Sequence, residues 1–439
     1  MTRAAVGVWV LATAAAAAAP PAGTLAQPRA DPAWTAFLDA PDAAAARAAI
    51  EPLAGTATDV RQAYDRLRAG KAYTARPPGQ TTFRFTASDG TALETVADVP
   101  AGYRPDARWP VRIQLHGGVS RPADAEARAV SPNRIQGEEA IYLHPRGFAK
   151  AEWWHLNQYE NMVALLDWVT RTYNVDENRV YMTGVSDGAT GSYFYAMKLT
   201  TPFSAFLPLN GNMRVLATPS TRANGQMYAG NLVNKPLFIV NGGRDPLYPL
   251  VAVTPHVEMI KAAGAQVEFR PQPEAGHNTS WWPDERSHFE AFVTAHPRQP
   301  HPETLSWESE RTDRYNRAHW LVINELARRP GDDAALEDVN RFSASGGEQR
   351  MFARTWPSGR IDARRAGNIF DLRTRGVARF TLLLSPDVID FSAPIVVRVN
   401  GDVAFSGRLH ESVRTLLEWH AHDHDRTMLY TAELSVKVP

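Results

Sequence analysis

Apolar positions divide the chain into three stretches of different rhythm. Residues 31–70 are alanine-rich. The runs AAAARAAIEPLAG and TDVRQAYDRLRAG each close on glycine, a common helix stop. A proline-bearing connector, Tyr73 to Gln80, follows. Thr82 to Ala87 then alternates, Asp89-Gly90 turns, and Ala92 to Val99 runs back, which predicts a β-hairpin.

From about residue 110, short apolar runs alternate with helical stripes. VRIQLHGG (111–118), AIYLHP (140–145), Arg179–Val185, AFLPLNG (205–211), PLFIVNGG (236–243) and QVEFR (266–270) read as buried strands. Tyr159 to Tyr173 carries Met162, Leu165, Leu166 and Val169 at helical spacing. Further helices are expected from Asp187, across Val253–Ala263 and near Asp284–Ala295. This alternation predicts an α/β domain: a mostly parallel sheet covered on both faces, with the opening hairpin on its edge.

Past His296-Pro297 and Pro300-His-Pro302 the runs become short and β-like: TLSWESE, IFDLRT, RFTLLLSP, IVVRVNG, VAFSGRL and MLYTAELSVKV. RAHWLVINEL reads equally as strand or helix. Asn400-Gly401 is a hairpin turn. An antiparallel, immunoglobulin-like all-β sandwich is expected here. The resulting division is 1–26, 27–80 (helical), 81–300 (α/β) and 301–439 (sandwich).

The first 26 residues change the picture of compartment. Arg3 precedes an apolar run from Ala4 to Ala19, then Pro20, Pro21 and a small-x-small site at Thr24-Leu25-Ala26. That is the layout of a cleaved secretory signal; the run is short and alanine-rich for a membrane anchor. A periplasmic or secreted protein without stable membrane insertion is expected. The absence of cysteine rules out disulfides, thiolate metal sites, a cysteine nucleophile and a lipid-anchored export signal. Lys+Arg and Asp+Glu balance at 47 each, which gives no reason to expect a nucleic-acid partner.

The candidate chemistry begins at Gly184-Val185-Ser186-Asp187-Gly188, a G-x-S-x-G between a predicted strand and a predicted helix. Serine is a weak nucleophile without a base, and the base needs an orienting acid. Asp245, in NGGRDPLYP, and His277, in EAGHNTSWW, follow in that order, each just past a predicted strand. His256 and His288 are rivals, but both fall inside predicted helices. Ser186 would attack, His277 would shuttle the proton and Asp245 would fix the imidazole. His116-Gly117-Gly118 ends an earlier strand. The backbone N–H groups of Asp187 and of Gly118 or Val119 are therefore candidate oxyanion donors. Trp281, Trp282 and Trp154 are candidate pocket walls for an aryl or sugar moiety.

LHGG (115–118), GVSDG (184–188), NGGRD (241–245) and AGHNTSWW (275–282) together resemble the α/β-hydrolase superfamily over residues 81–297. The similarity is to bacterial secreted esterases of the polyhydroxybutyrate depolymerase and feruloyl esterase kind, shading into prolyl-oligopeptidase-like hydrolases. It implies cofactor-free cleavage of a small-molecule or carbohydrate-linked ester through an acyl-enzyme. A peptidase and a non-catalytic binding protein are the alternatives. Two features depart from the pattern: an aspartate follows the serine, and no β-propeller precedes the domain.

His420-Ala-His-Asp-His-Asp425 has metal-ligand residue types but no partner at a recognised spacing, and reads as a polar hairpin loop with no metal. Trp307, Trp320, Trp356 and Trp419 could form a sugar platform or a core; strand pattern does not distinguish the two, and core is the expectation.

Overall fold

The computed structural model describes residues 31–439 apart from 56, 58, 124–134, 329–337 and 345. The expected export signal lies outside the described residues. The described residues open with four short helices, α1 (Pro32–Leu38), α2 (Ala43–Ala48), α3 (Ile50–Ala54) and α4 (Val60–Ala69). The aspartates at 31, 42 and 59 cap three of them through their side chains, satisfying amides that have no partner in the first turn.

The central sheet has eight strands: β1 (Gly79–Thr86), β2 (Ala92–Val99), β3 (Trp109–Leu115), β4 (Ile141–Pro145), β5 (Val175–Val185), β6 (Ala205–Leu209), β7 (Leu237–Gly242) and β8 (Val267–Gln272). Their order is β1-β2-β4-β3-β5-β6-β7-β8. The opening hairpin is antiparallel, β2 pairs antiparallel with β4, and every later pair is parallel. The crossover helices are α5 (Leu156–Thr172), α6 (Asp187–Lys198), α7 (Leu250–Ala262) and α8 (Trp282–Ala295). Strand periodicity assigns the two faces. Phe206, Leu237 and Ile239 pack with α5, α6 and α7, while Leu207, Phe238 and Val240 pack under Phe289, Phe292 and Val293 of α8.

The C-terminal part holds two sheets around one core. The first contains β10 (Arg317–Ala318), β11 (Leu321–Leu326), β16 (Val377–Leu384) and β19 (Ala432–Lys437). The second contains β9 (Thr304–Ser309), β14 (Gly359–Ala366), β15 (Ile369–Arg375), β17 (Ile395–Val399) and β18 (Asp402–Gly407). RAHWLVINEL is thus strand. Asn400 and Gly401, both at positive φ, form the two-residue turn between β17 and β18. One expectation is corrected: β15 and β17 run parallel, so the sandwich is mixed, not antiparallel throughout.

A second correction concerns His420–Asp425. This stretch ends a helix, α9 (Val413–Asp423), and does not form a hairpin loop. Ser412 caps it, and Val413, Leu416, Leu417 and Ala421 form an apolar stripe at spacings of three and four. That stripe packs on Trp34, Phe37, Leu53 and Leu67 of the N-terminal helices. Asp423 pairs with Arg317 at 2.6 Å and Asp425 with Arg298 at 2.5 Å. Among the described residues no group of His, Asp and Glu could hold a metal ion.

The two large units are pinned together. Asn231 donates to the carbonyls of Met197 and Glu308 and accepts from the Glu308 amide. A hairpin of β12 (Arg341–Ala344) and β13 (Gly347–Arg350) leaves the sandwich, and Phe342, Met351 and Phe352 join the core of the α/β unit.

Candidate active site

β5 ends at Val185 and α6 begins at Asp187, leaving Ser186 alone on the turn. Its backbone has φ 60° and ψ −119°, a region that side-chain-bearing residues avoid. The surrounding packing holds it there. The Ser186 amide donates to the Leu209 carbonyl at 3.0 Å, tying the turn to the end of β6. A Cβ on Gly184 would stand 1.9 Å from the Gly188 oxygen, and one on Gly188 would stand 2.0 Å from the Leu115 oxygen. The two glycines therefore let β5, α6 and β3 meet backbone to backbone.

Asp245 lies just beyond β7 and His277 beyond β8. His277 Nδ1 is 2.7 Å from Asp245 Oδ2, and His277 Nε2 is 2.9 Å from Ser186 Oγ. An ionised carboxylate only accepts, so Nδ1 carries the proton and Nε2 is free to accept from the serine hydroxyl. Asp245 is buried, and its Oδ1 accepts the amides of Leu247 at 2.8 Å and Tyr248 at 3.0 Å. Three hydrogen bonds thus orient a carboxylate that has left water. His256 is placed differently. It is buried in α7, where its Nδ1 donates to Asn212 Oδ1 at 2.9 Å.

The loop after β3 is built from its own polar groups. His116 Nδ1 donates to the Gly117 carbonyl at 2.8 Å, and its Nε2 accepts the Gly147 amide at 3.0 Å. Trp153 Nε1 donates to the His116 carbonyl at 2.9 Å. Gly117 lies against the serine: a Cβ there would be 2.8 Å from Ser186 Cβ. Gly118 and Val119 direct their amides inward, but both donate to one oxygen, Asp187 Oδ2, at 3.0 and 3.1 Å. In this state a carboxylate occupies the loop donors. The Asp187 amide is the first of α6 and has no intrahelical acceptor.

The tryptophans divide. Trp281 is buried among Tyr181, Leu207 and Phe238, so its ring serves the layer under α8 and not an open pocket wall. Trp282 stands edge-on to Phe289 with ring centroids 5.1 Å apart. Trp154 is half-buried against the main core. Of two residues that sequence reasoning missed, Tyr248 lies beside the histidine. The Tyr248 ring is 5.6 Å from that of His277. Burial pushes its hydroxyl up to about 12, with the charges of Asp187 and Asp245 adding to the shift. Leu247, its neighbour, is exposed. Their signal was position alone, two and three residues past Asp245.

No family model matches the chain. A bifunctional acetylxylan esterase/xylanase of Neocallimastix patriciarum is 22% identical over 130 residues, 29% of this chain and 19% of that protein. The chain thus matches about a fifth of that relative's length. Among solved structures, a thermostable esterase aligns with a TM-score of 0.40 and 20% identity, over 50% of this chain and 63% of its own. A ferulic acid esterase aligns at 0.37 and 18%, over 49% and 97%. Dipeptidyl peptidase 4 of Porphyromonas gingivalis aligns at 0.38 and 16%, over 50% and 36%. The strand order, the crossover helices and the strand–turn–helix setting of Ser186 give the first large unit of this chain the α/β-hydrolase fold.

Proposed function

We propose that this chain is an exported serine hydrolase that cleaves carboxylic esters through Ser186, His277 and Asp245. The observation that carries the reading is the continuous hydrogen-bond relay from Ser186 Oγ through His277 to Asp245. His277 Nε2 takes the hydroxyl proton as Ser186 Oγ bonds to the ester carbon. The imidazolium returns that proton to the departing alkoxide as the ester C–O bond breaks. Water then attacks the acyl carbon and gives its proton to His277; the acyl C–Oγ bond breaks as the imidazolium returns that proton to Ser186 Oγ, leaving the carboxylic acid and a free serine. The Asp187 amide, at the positive end of α6, is suited to the oxyanion, with the loop amides joining once the Asp187 side chain moves.

The partial likeness to an acetylxylan esterase/xylanase favours an ester over an amide. The exposed Leu247 beside Tyr248 suits an apolar acyl or aryl group. Export rests on the first 26 residues. Ser186→Ala should lower turnover of a p-nitrophenyl acetate-type ester by roughly 10³-fold or more with the fold intact. Near wild-type turnover in that variant rejects the reading, and faster cleavage of peptide amides than of aryl or sugar esters moves it to a peptidase.

A further inference from the structure

Two successive residues at the end of β6 tie the serine and the histidine to one strand. The Leu209 carbonyl accepts the Ser186 amide at 3.0 Å. The Asn210 side chain donates through Nδ2 to the carbonyl of Asn278 at 2.5 Å, one residue past His277. The backbone amide of Asn210 donates to the Val240 carbonyl at 2.7 Å, which fixes it against β7, the strand that delivers Asp245. All three members of the relay are thereby referred to the same strand end.

The loop beyond His277 is otherwise bonded to itself. The Asn278 amide turns back to the Gly276 carbonyl at 2.9 Å, and the Ser280 amide and hydroxyl donate to Asn278 Oδ1 at 3.0 and 2.6 Å. The Thr279 carbonyl accepts the Trp282 amide at 3.0 Å. These bonds shape the turn without attaching it. Among the described residues, the bond from Asn210 is the hydrogen bond that joins residues 278–280 to the sheet.

Asn210 is 1% exposed and sits at φ 48°, where glycine is at ease and asparagine is tolerated. Its Oδ1 is buried without a hydrogen-bond partner among the described residues. A carbonyl only accepts, so the NH2 group must face Asn278 and the oxygen is left over. An orphaned buried oxygen costs stability, and so does a side chain in the left-handed region. A residue that served packing alone would carry neither cost. We infer that Asn210 is a positioning residue: its side-chain amide holds the Asn278 carbonyl and so keeps His277 Nε2 within reach of Ser186 Oγ. This inference rests on the reading of Ser186, His277 and Asp245 as a triad.

The test compares the full chain with two variants. Asn210→Gly removes the donor at a φ suited to glycine, and Asn210→Leu fills the same volume without a donor. On a p-nitrophenyl ester, kcat should fall about 10- to 100-fold in both while KM changes by less than about twofold, because a small misplacement of a reacting group costs on the order of 10²-fold. Fluorophosphonate labelling of Ser186 should slow by the same factor, and the low-field proton resonance of His277 Nδ1 should broaden or vanish. Leu417→Ala, a destabilised variant remote from the site, should show none of these changes. A kcat within about twofold of the parent in either folded Asn210 variant, a loss carried by KM, or an equal loss in Leu417→Ala overturns the inference. Undiminished turnover or labelling in Ser186→Ala overturns the triad reading instead, whatever the Asn210 variants do.

Discussion

Asp187 Oδ2 accepts the Gly118 amide at 3.0 Å, and the Val119 amide 3.1 Å away shares the same oxygen. The bond ties the residue after the serine to the loop expected to stabilise an oxyanion. A carboxylate left about 4 Å from a developing oxyanion would oppose it by up to about 4 kcal/mol at an intermediate dielectric. The charge must leave the donors during acylation, while the oxygen as an acceptor orders the loop at rest. Asp187→Asn keeps an acceptor and removes the charge, so its kcat on a small ester should equal or exceed that of the parent. Asp187→Ala removes both and should lose about 2 kcal/mol of stability together with activity. A fall in Asp187→Asn as deep as that of Ser186→Ala would show that the charge itself is required.

Asp245 has no freedom to be replaced quietly. Its Oδ2 faces His277 Nδ1, and its Oδ1 holds the amides of Leu247 and Tyr248. Asp245→Asn places an amide against the imidazole and favours the tautomer with the proton on Nε2, which cannot accept from serine. The expected loss in kcat is about 10⁴-fold, with KM changed little. A loss of less than tenfold would mean that another group orients His277.

His256 predicts an acid-labile fold. Burial, helped by the nearby Arg214 charge, lowers its pKa to about 4. Unfolded, the ring protonates near 6.5, so between about pH 6.5 and 4 unfolding takes up a proton and stability falls as pH falls. Above that window both states are neutral and the full contribution is present. His144, His301 and His420 are buried and also lowered to about 4, so the effects accumulate. Denaturant unfolding at about pH 7.5 and pH 5 should show a marked loss of stability. His256→Gln should reduce that loss by about 2 kcal/mol. An unchanged pH slope in the variant would contradict the assignment.

The parts legible in the sequence were those with a strict period or a strict local constraint. Phe206, Leu237 and Ile239 face one helical layer and Leu207, Phe238 and Val240 the other, and such alternation is written in the order of the residues themselves. Gly184 and Gly188 are steric necessities that a motif records directly. What escaped was decided by distant packing. The histidines and aspartates at 420–425 hide a helix whose apolar stripe lies just upstream, and only the N-terminal helices reveal its purpose. Phe342 belongs to the sandwich in sequence and to the α/β core in space, where its ring sits 4.5 Å from that of His256. The Asp187 side chain was equally invisible, because its partners are amides of a loop nearly seventy positions earlier.

The docking of α9 makes the N-terminal helices part of the folded unit. Leu416 and Leu417 are fully buried against the faces of α1 to α4. Arg171 of α5 donates to the Ala40 and Ala421 carbonyls at 3.4 and 3.2 Å, joining three separate stretches at one guanidinium. Removing side-chain volume here leaves a cavity that neither helix can close without moving the other. Leu417→Ala should therefore cost about 2–5 kcal/mol in denaturant unfolding. Ester turnover at 25 °C should stay unchanged, because the variant touches none of Ser186, Asp245 or His277. Deleting residues 31–70 exposes the whole α9 stripe and should give a chain that aggregates or binds a hydrophobic dye strongly. A Leu417→Ala variant within about 0.5 kcal/mol of the parent, the limit typical of surface changes, would show that α9 and the N-terminal helices are not packed together in solution.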